Sequence, residues 1–509
     1  MSVRKKLISN TFYLFINWFS VTIFSFLYWL IIGKFLSPAD YGIVSTSFQI
    51  ATLLSAISFF GLNSATIKLI PELLQKKKKA KIQGLIIFTL KTFSISTSLI
   101  SIAVLLILSF FNFVKLPEEA ILFIAFLIPT ITFANYLANI LYGFQRMKEF
   151  AWINSASQAT KAFLTFLLII LGMRYLGPLT GLFFSYLLMI FLRLTVAPLT
   201  SKSSSLDKEL IKKYAIPGFI VIILAQIFAN SHFIILSSLT DQTTTGLFAV
   251  AFKIASFVMI IPNILNSALF PIISQLSANK GMRSKQAKLI SSVFNYSLLF
   301  SFPMIIFLSY FSKYAILLFA KESYLQAMQY LPSLLFASLF YGLGIISLNS
   351  LYAIKKPKEY RNVFLITVLV YLPLAYLSTQ TLSAFGLSLA YLFSTFFFFL
   401  LTFWRIRKYL NVRFPCKNFV KILIASFFTF LVTFLIRPYV HSFWAAIPVV
   451  IIASFVYVFF LVKLRFHSKD DLTILDFFIE KIPRKMKLIK NLAVKVRSYL
   501  LKNVSFSKK

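Results

Sequence analysis

Four basic side chains, Lys91, Lys161, Arg193 and Lys253, fall inside apolar runs long enough to cross a membrane, and no acidic residue accompanies them there. A cation in hydrocarbon is costly, and such residues usually serve a substrate or ion path. All fourteen Asp and Glu residues are assigned to loops or tails, so the missing counter-charge has to arrive with a ligand. The chemistry on offer is therefore capture of an anion. Lys91 and Arg193 sit within about two helical turns of the end of their runs, where a long side chain can reach back to the interface. Lys161 and Lys253 sit deeper.

Neutral polar groups recur at helical spacing around these cations. Asn154, Gln158, Lys161 and Thr165 share one face, as do Lys91, Ser94, Ser98 and Ser101. Other spans carry Ser45, Gln49 and Thr52; Lys253, Ser256, Asn263 and Ser267; and Gln226 and Asn230, with His232 one position off. The Ser and Asn members also suit hydrogen bonding between helices, and a lone His232 is more readily structural than titrating. The candidate substrate-binding set is Lys253, Lys161, Gln49, Gln226, Asn230, Lys91, Arg193 and His232.

No other chemistry is signalled. His232, His441 and His467 are scattered, Cys416 is the single cysteine, and neither GxxxxGK[ST] nor GxGxxG occurs. Metal ligation, a cofactor, a nucleotide and a catalytic set are therefore not expected.

The elements that must position these residues are transmembrane helices. Of 509 residues, 59% are hydrophobic and 13% charged, against about a quarter charged in ordinary soluble domains. Mean hydropathy is +0.84. Runs of about 20 apolar residues, the length a bilayer requires, begin near Ser9, Gly42, Gly84, Ala120, Phe150, Leu176, Tyr214, Gly246, Ile290, Leu325, Asn362, Ser383, Phe419 and Ser442. The reading is an all-α polytopic membrane protein of about fourteen spans joined by short loops.

The net charge of +38 then needs no nucleic acid to explain it. With the N-terminus inside, alternate connections hold 42 of the 52 Lys and Arg residues, the opposite side holds six, and the spans hold four. That bias predicts both termini in the cytoplasm. From about Ile482 to Leu500 apolar residues recur every three or four positions among lysines and arginines, a pattern for a basic amphipathic helix on an anionic leaflet.

Three segments repeat in order. Gly42–Ala51 (GIVSTSFQIA) matches Gly246–Ala255 (GLFAVAFKIA) at an offset of 204 residues, Leu141–Phe150 matches Leu351–Tyr360 at 210, and Gly181–Leu187 matches Gly386–Leu392 at 205. Spans one to six thus map onto seven to twelve, and an even number per unit makes the repeat parallel. Transporters of such halves bind substrate between them and alternate access by rocking. The predicted organisation is an N-terminal six-helix lobe over 1–200, a second over 201–410, two further spans over 411–465 and a basic cytoplasmic tail over 466–509. Lys253 is the repeat partner of Gln49.

The start of span two, with Gly33, Leu36, Pro38, Asp40, Tyr41 and Gly42 in GKFLSPADYG, and the basic break Leu141–Tyr142–Gly143 through Arg146 resemble the Wzx-type polysaccharide flippases of the multidrug/oligosaccharidyl-lipid/polysaccharide exporter superfamily. The resemblance implies that superfamily's transporter fold, and outward movement of a polyprenyl-diphosphate-linked oligosaccharide through a cavity lined by spans one, two, seven and eight. It implies a multi-pass protein of the plasma or inner membrane, working in cell-surface polysaccharide biosynthesis such as O-antigen export, with a polysaccharide polymerase and glycosyltransferases as partners. Relatives often carry an acidic residue in span seven where His232 stands. A lipid II flippase and a multidrug exporter of the same fold are alternatives. A membrane polysaccharide polymerase, the enzyme alternative, would call for carboxylates on a sizeable outer loop.

Overall fold

The computed structural model describes residues 3–111, 113–198, 204, 208–277 and 280–466; the amphipathic stretch expected in the tail lies outside them. The described residues form sixteen α-helices. In chain order these are α1 (Val3–Phe35), α2 (Pro38–Ser58), α3 (Leu62–Gln75), α4 (Lys79–Phe111), α5 (Glu118–Gly143), α6 (Met147–Ile170), α7 (Leu176–Val196) and α8 (Lys208–Leu239). Then follow α9 (Gln242–Ala255), α10 (Ile260–Leu276), α11 (Arg283–Tyr310), α12 (Ser312–Phe319), α13 (Leu331–Ala353), α14 (Pro357–Leu410), α15 (Cys416–Ile436) and α16 (Phe443–Lys463).

Among the described residues thirteen helical stretches are long and apolar enough to cross a bilayer, with α9 and α10 forming one stretch through a short 3-10 turn at Ser256–Met259. An unbroken helix of 54 residues would run about 80 Å at 1.5 Å per residue, more than twice the thickness of a hydrocarbon core; α14 instead breaks at Ser383, whose φ is 54°. Its two arms begin where the sequence places spans eleven and twelve. The amphipathic α3, which follows the end of α2, is an element the sequence reading did not separate.

The helices sort into two compact units. The first comprises residues 1–255, 315–337 and 356–401; within it α2 is the most enclosed of the early helices, packing on α5, α8 and α9. The second comprises 256–314, 338–355 and the chain from Thr402 onward, where α15 packs on α16 and α11, and α10 on α11.

Two local features carry the internal repeat into three dimensions. A Cβ added at Gly42 would meet the carbonyl oxygen of Gln242 at 2.0 Å, and one at Gly246 would meet that of Pro38 at 1.8 Å. These contacts exchange under the offset of 204, the reciprocity expected of segments related by an approximate two-fold axis. The break after α5 recurs after α13 as well. Gln145 (φ 56°) and Lys355 (φ 60°), 210 residues apart, both take the left-handed conformation and donate backbone N–H bonds to Tyr142 and Tyr352.

Candidate functional site

The motif at the start of α2 is a structural lock. Ser37 caps the helix and exchanges hydrogen bonds with Asp40, whose backbone N–H it accepts at 3.2 Å and whose Oδ2 it donates to at 2.8 Å, with Pro38 in the first turn. Asp40 is buried in that turn and pairs with Arg174 at 3.0 Å, so this carboxylate is not the loop residue the sequence suggested. Tyr41 packs on Trp29 and Tyr324. Tyr324 donates to the carbonyl of Leu36 at 3.2 Å; burial first, and the charge of Asp40 second, push its phenol well above the usual range and keep it a donor. Gly33 lies against the carbonyl of Phe319 and accepts from the N–H of Lys321. This end of the α1–α2 hairpin is thereby closed.

Toward the other end of the same helices, within the first unit, lies a cavity of about 540 Å³. Its polar wall is built from side-chain amides: Asn17 on α1, Asn63 on α3, Asn135 and Asn139 one turn apart on α5, Asn154 and Gln158 on α6, and Gln226 on α8. Each amide offers two donors and an acceptor, which matches the alternating needs of vicinal hydroxyls. Phe59, Tyr142, Phe150 and Tyr186 supply flat apolar surface. Among the described residues lining the cavity there is no carboxylate.

The one charged side chain on the wall is Arg193 of α7, at 2% exposure. It does not reach back to the interface, as its position in the sequence allowed. One terminal nitrogen donates to the carbonyl of Ala134, the other to Oδ1 of Asn154, and Asn154 in turn donates to Asn17 at 2.7 Å. The chain of bonds ties α7, α5, α6 and α1 together. Among the described residues its buried Nε has no partner, and no carboxylate lies within ion-pair distance.

The remaining predicted residues are placed as follows. Gln226 lines the cavity, and Asn230, buried behind it, donates to its Oε1 at 2.6 Å. Gln49 is buried on α2 outside the cavity wall. Lys161 follows Gln158 on the same face of α6, beyond the cavity, with its ammonium 4.6 Å from the ring centre of Tyr28. Lys253 lies 4.4 Å over Trp29. Tyr28 and Trp29 are consecutive on α1, so one cation from each sequence lobe rests on neighbouring rings, a contact worth about 2 kcal/mol when desolvated. His232 is enclosed by Phe233, Phe248, Phe252 and Tyr391, with both ring nitrogens lacking a hydrogen-bond partner. Lys91 is exposed on α4 and borders a separate hollow.

The structure thus unites Arg193 and Gln226 in one cavity and leaves Lys91, Lys161, Lys253, Gln49 and His232 outside its wall. Asn17, Asn63, Asn135 and Asn139 were absent from the candidates. The spacing of Asn135 and Asn139 was the available signal, and a search led by charge passes over it.

A family profile described as "polysaccharide biosynthesis protein" matches residues 7–277, more than half of the chain. The chain belongs to the polysaccharide biosynthesis protein family. Its fold is that of solved transporters of the multidrug/oligosaccharidyl-lipid/polysaccharide exporter (MOP) superfamily, and its apolar helices make it a multi-pass membrane protein. Among solved structures it is similar to the lipid II flippase MurJ in an inward closed conformation, at 17% identity and a TM-score of 0.69, covering 88% of this chain and 98% of that one. An inward-facing multidrug resistance MATE transporter of the MOP superfamily aligns at 14% identity and a TM-score of 0.60, over 77% and 94%. A MOP superfamily transporter from Pyrococcus furiosus, described as having a binding pocket of reverse polarity, aligns at 15% and 0.52, over 80% and 96%. No curated protein sequence matches the chain.

Proposed function

We propose that this family member is a Wzx-type flippase, moving a polyprenyl-diphosphate-linked oligosaccharide from the cytoplasmic to the outer leaflet of the cell membrane by alternating access between its two six-helix lobes. The observation that carries this reading is the amide-lined cavity with Arg193 as its single charge. Amides and flat aromatic surface suit sugar rings, and a lone cation suits a phosphate or another acidic group. The 42 basic residues that alternate connections share support a cytoplasmic cavity end and cytoplasmic termini. Lys161 and Lys253, beyond the cavity toward the locked end, are the next cations that the diphosphate meets as the molecule opens outward. Gln49, the repeat partner of Lys253, serves the same path, Gln226 and Asn230 contact sugar, and a polymerase and glycosyltransferases act before and after. A multidrug exporter of organic cations is disfavoured, because no carboxylate lines the cavity among the described residues; translocation without covalent chemistry is likewise favoured over polymerisation.

A leaflet-resolved assay in proteoliposomes with a fluorescent lipid-linked oligosaccharide tests this. Arg193→Ala, and separately the Lys161→Ala/Lys253→Ala pair, are expected to slow translocation at least tenfold with unchanged protein in the membrane. Wild-type rates in both variants would sink the anion-site reading.

A further inference from the structure

The polar cavity has an apolar neighbour. A hollow of about 460 Å³ runs along the membrane face of α4, bordered on one side by Phe60. Phe88, Lys91, Thr92, Ile95, Ser96, Leu99 and Ile100 follow one another in alternating steps of three residues and one, which keeps them on one helix face in a stripe about 18 Å long at 1.5 Å per residue. Ile95 and Leu99 are more than 60% exposed, as befits side chains facing lipid.

The polar atoms of the floor are already used. Thr92 donates to the carbonyl of Phe88 at 2.9 Å, and Ser96 to that of Ser58 at 2.9 Å. What remains is the ammonium of Lys91, near the end of the stripe where α4 leaves the basic Lys76–Lys81 segment. No hydrogen bond or carboxylate meets it among the described residues. A cation at that end of an apolar channel has the form of a lipid receptor, in which the phosphate sits at the interface and the chain runs toward mid-bilayer.

The cavity and the hollow meet at one turn. Phe59 lines the cavity and Phe60 the hollow. Consecutive positive φ values at Phe60 (44°) and Gly61 (73°) separate α2 from α3 and send the two rings to opposite sides. Gly61 permits that turn, since a Cβ there would lie 2.0 Å from the carbonyl of Ala215.

We infer that the α4 hollow is the loading site for the lipid carrier: the first isoprene units of the polyprenyl chain lie along Phe88–Ile100, Lys91 holds the diphosphate, and the sugars pass the Phe59–Phe60 turn into the amide cavity. This rests on the flippase reading and adds where the carrier is held before translocation. The cation at Lys91 and the position of the hollow beside the cavity, at the Phe59–Phe60 turn, favour the substrate's own chain over a bulk phospholipid as the occupant.

The test is binding of a sugar-free polyprenyl diphosphate to the full chain in phosphatidylcholine nanodiscs, with translocation kinetics alongside. Lys91→Ala and the groove-filling Ile95→Trp, at a lipid-facing position, are expected to weaken binding about tenfold and to raise the half-saturating substrate concentration with the maximal rate unchanged. Lys91→Arg should restore both. If the wild type binds the diphosphate and Lys91→Ala and Ile95→Trp bind it equally well, the groove assignment falls while the flippase reading stands. If the wild type fails to bind it, or phosphatidylglycerol displaces it at equal concentration, both fall.

Discussion

At the scale of single residues, the site depends on how one buried guanidinium is satisfied. Arg193 has no carboxylate, so its charge is held by the carbonyl of Ala134 and the amide of Asn154. Hydrogen bonds to charged groups contribute about 1.5–3 kcal/mol each. Asn154→Leu keeps the volume and removes the acceptor, which leaves Arg193 short of a partner and Asn17 without its donor. A loss of that size is expected, read as a lower thermal midpoint of the purified protein in detergent, together with slower transport. The deeper cations are held otherwise: Lys161 and Lys253 rest on the faces of Tyr28 and Trp29.

At the scale of elements, the lock at the start of α2 and the facing start of α9 forms a close helix crossing in the first unit. Gly42 and Gly246 are required because backbone atoms of the facing helix occupy the place of a Cβ. Overpacking of this kind costs about 1–3 kcal/mol. Gly42→Ala and Gly246→Ala are each expected to lower the thermal midpoint and the transport rate. Since both changes wedge open the same contact, the double variant should cost clearly less than the sum of the singles. Strict additivity in a double-mutant cycle would show that the two glycines do not act on one crossing.

At the scale of the whole molecule, under the proposed flippase reading, the excess of basic residues is mainly an instruction for topology, and the cargo is an anion drawn to the few cations that remain in the spans. An anion moved outward across a membrane that is negative inside gains about 2.3 kcal/mol per charge per 100 mV. Collapsing the potential at constant pH is therefore expected to slow translocation in proteoliposomes, and reversing its sign to slow it further. Insensitivity to both would remove the potential as the driving force.

The succession of apolar membrane-length helices and the internal repeat were legible in the chain, because hydrocarbon thickness acts on consecutive residues. Even the repeated break at Gln145 and Lys355 was marked by its matching decapeptides. The membership of the cavity was not legible. Arg193 looked like an interfacial side chain, and Asn17, Asn63, Asn135 and Asn139 carry no charge to single them out among the polar residues of apolar helices. Depth along a helix is a local property that a sequence states directly. Which face turns inward, and which seven helices share that interior, follows from packing among segments as distant in sequence as Asn17 and Gln226, and only the tertiary structure decides it.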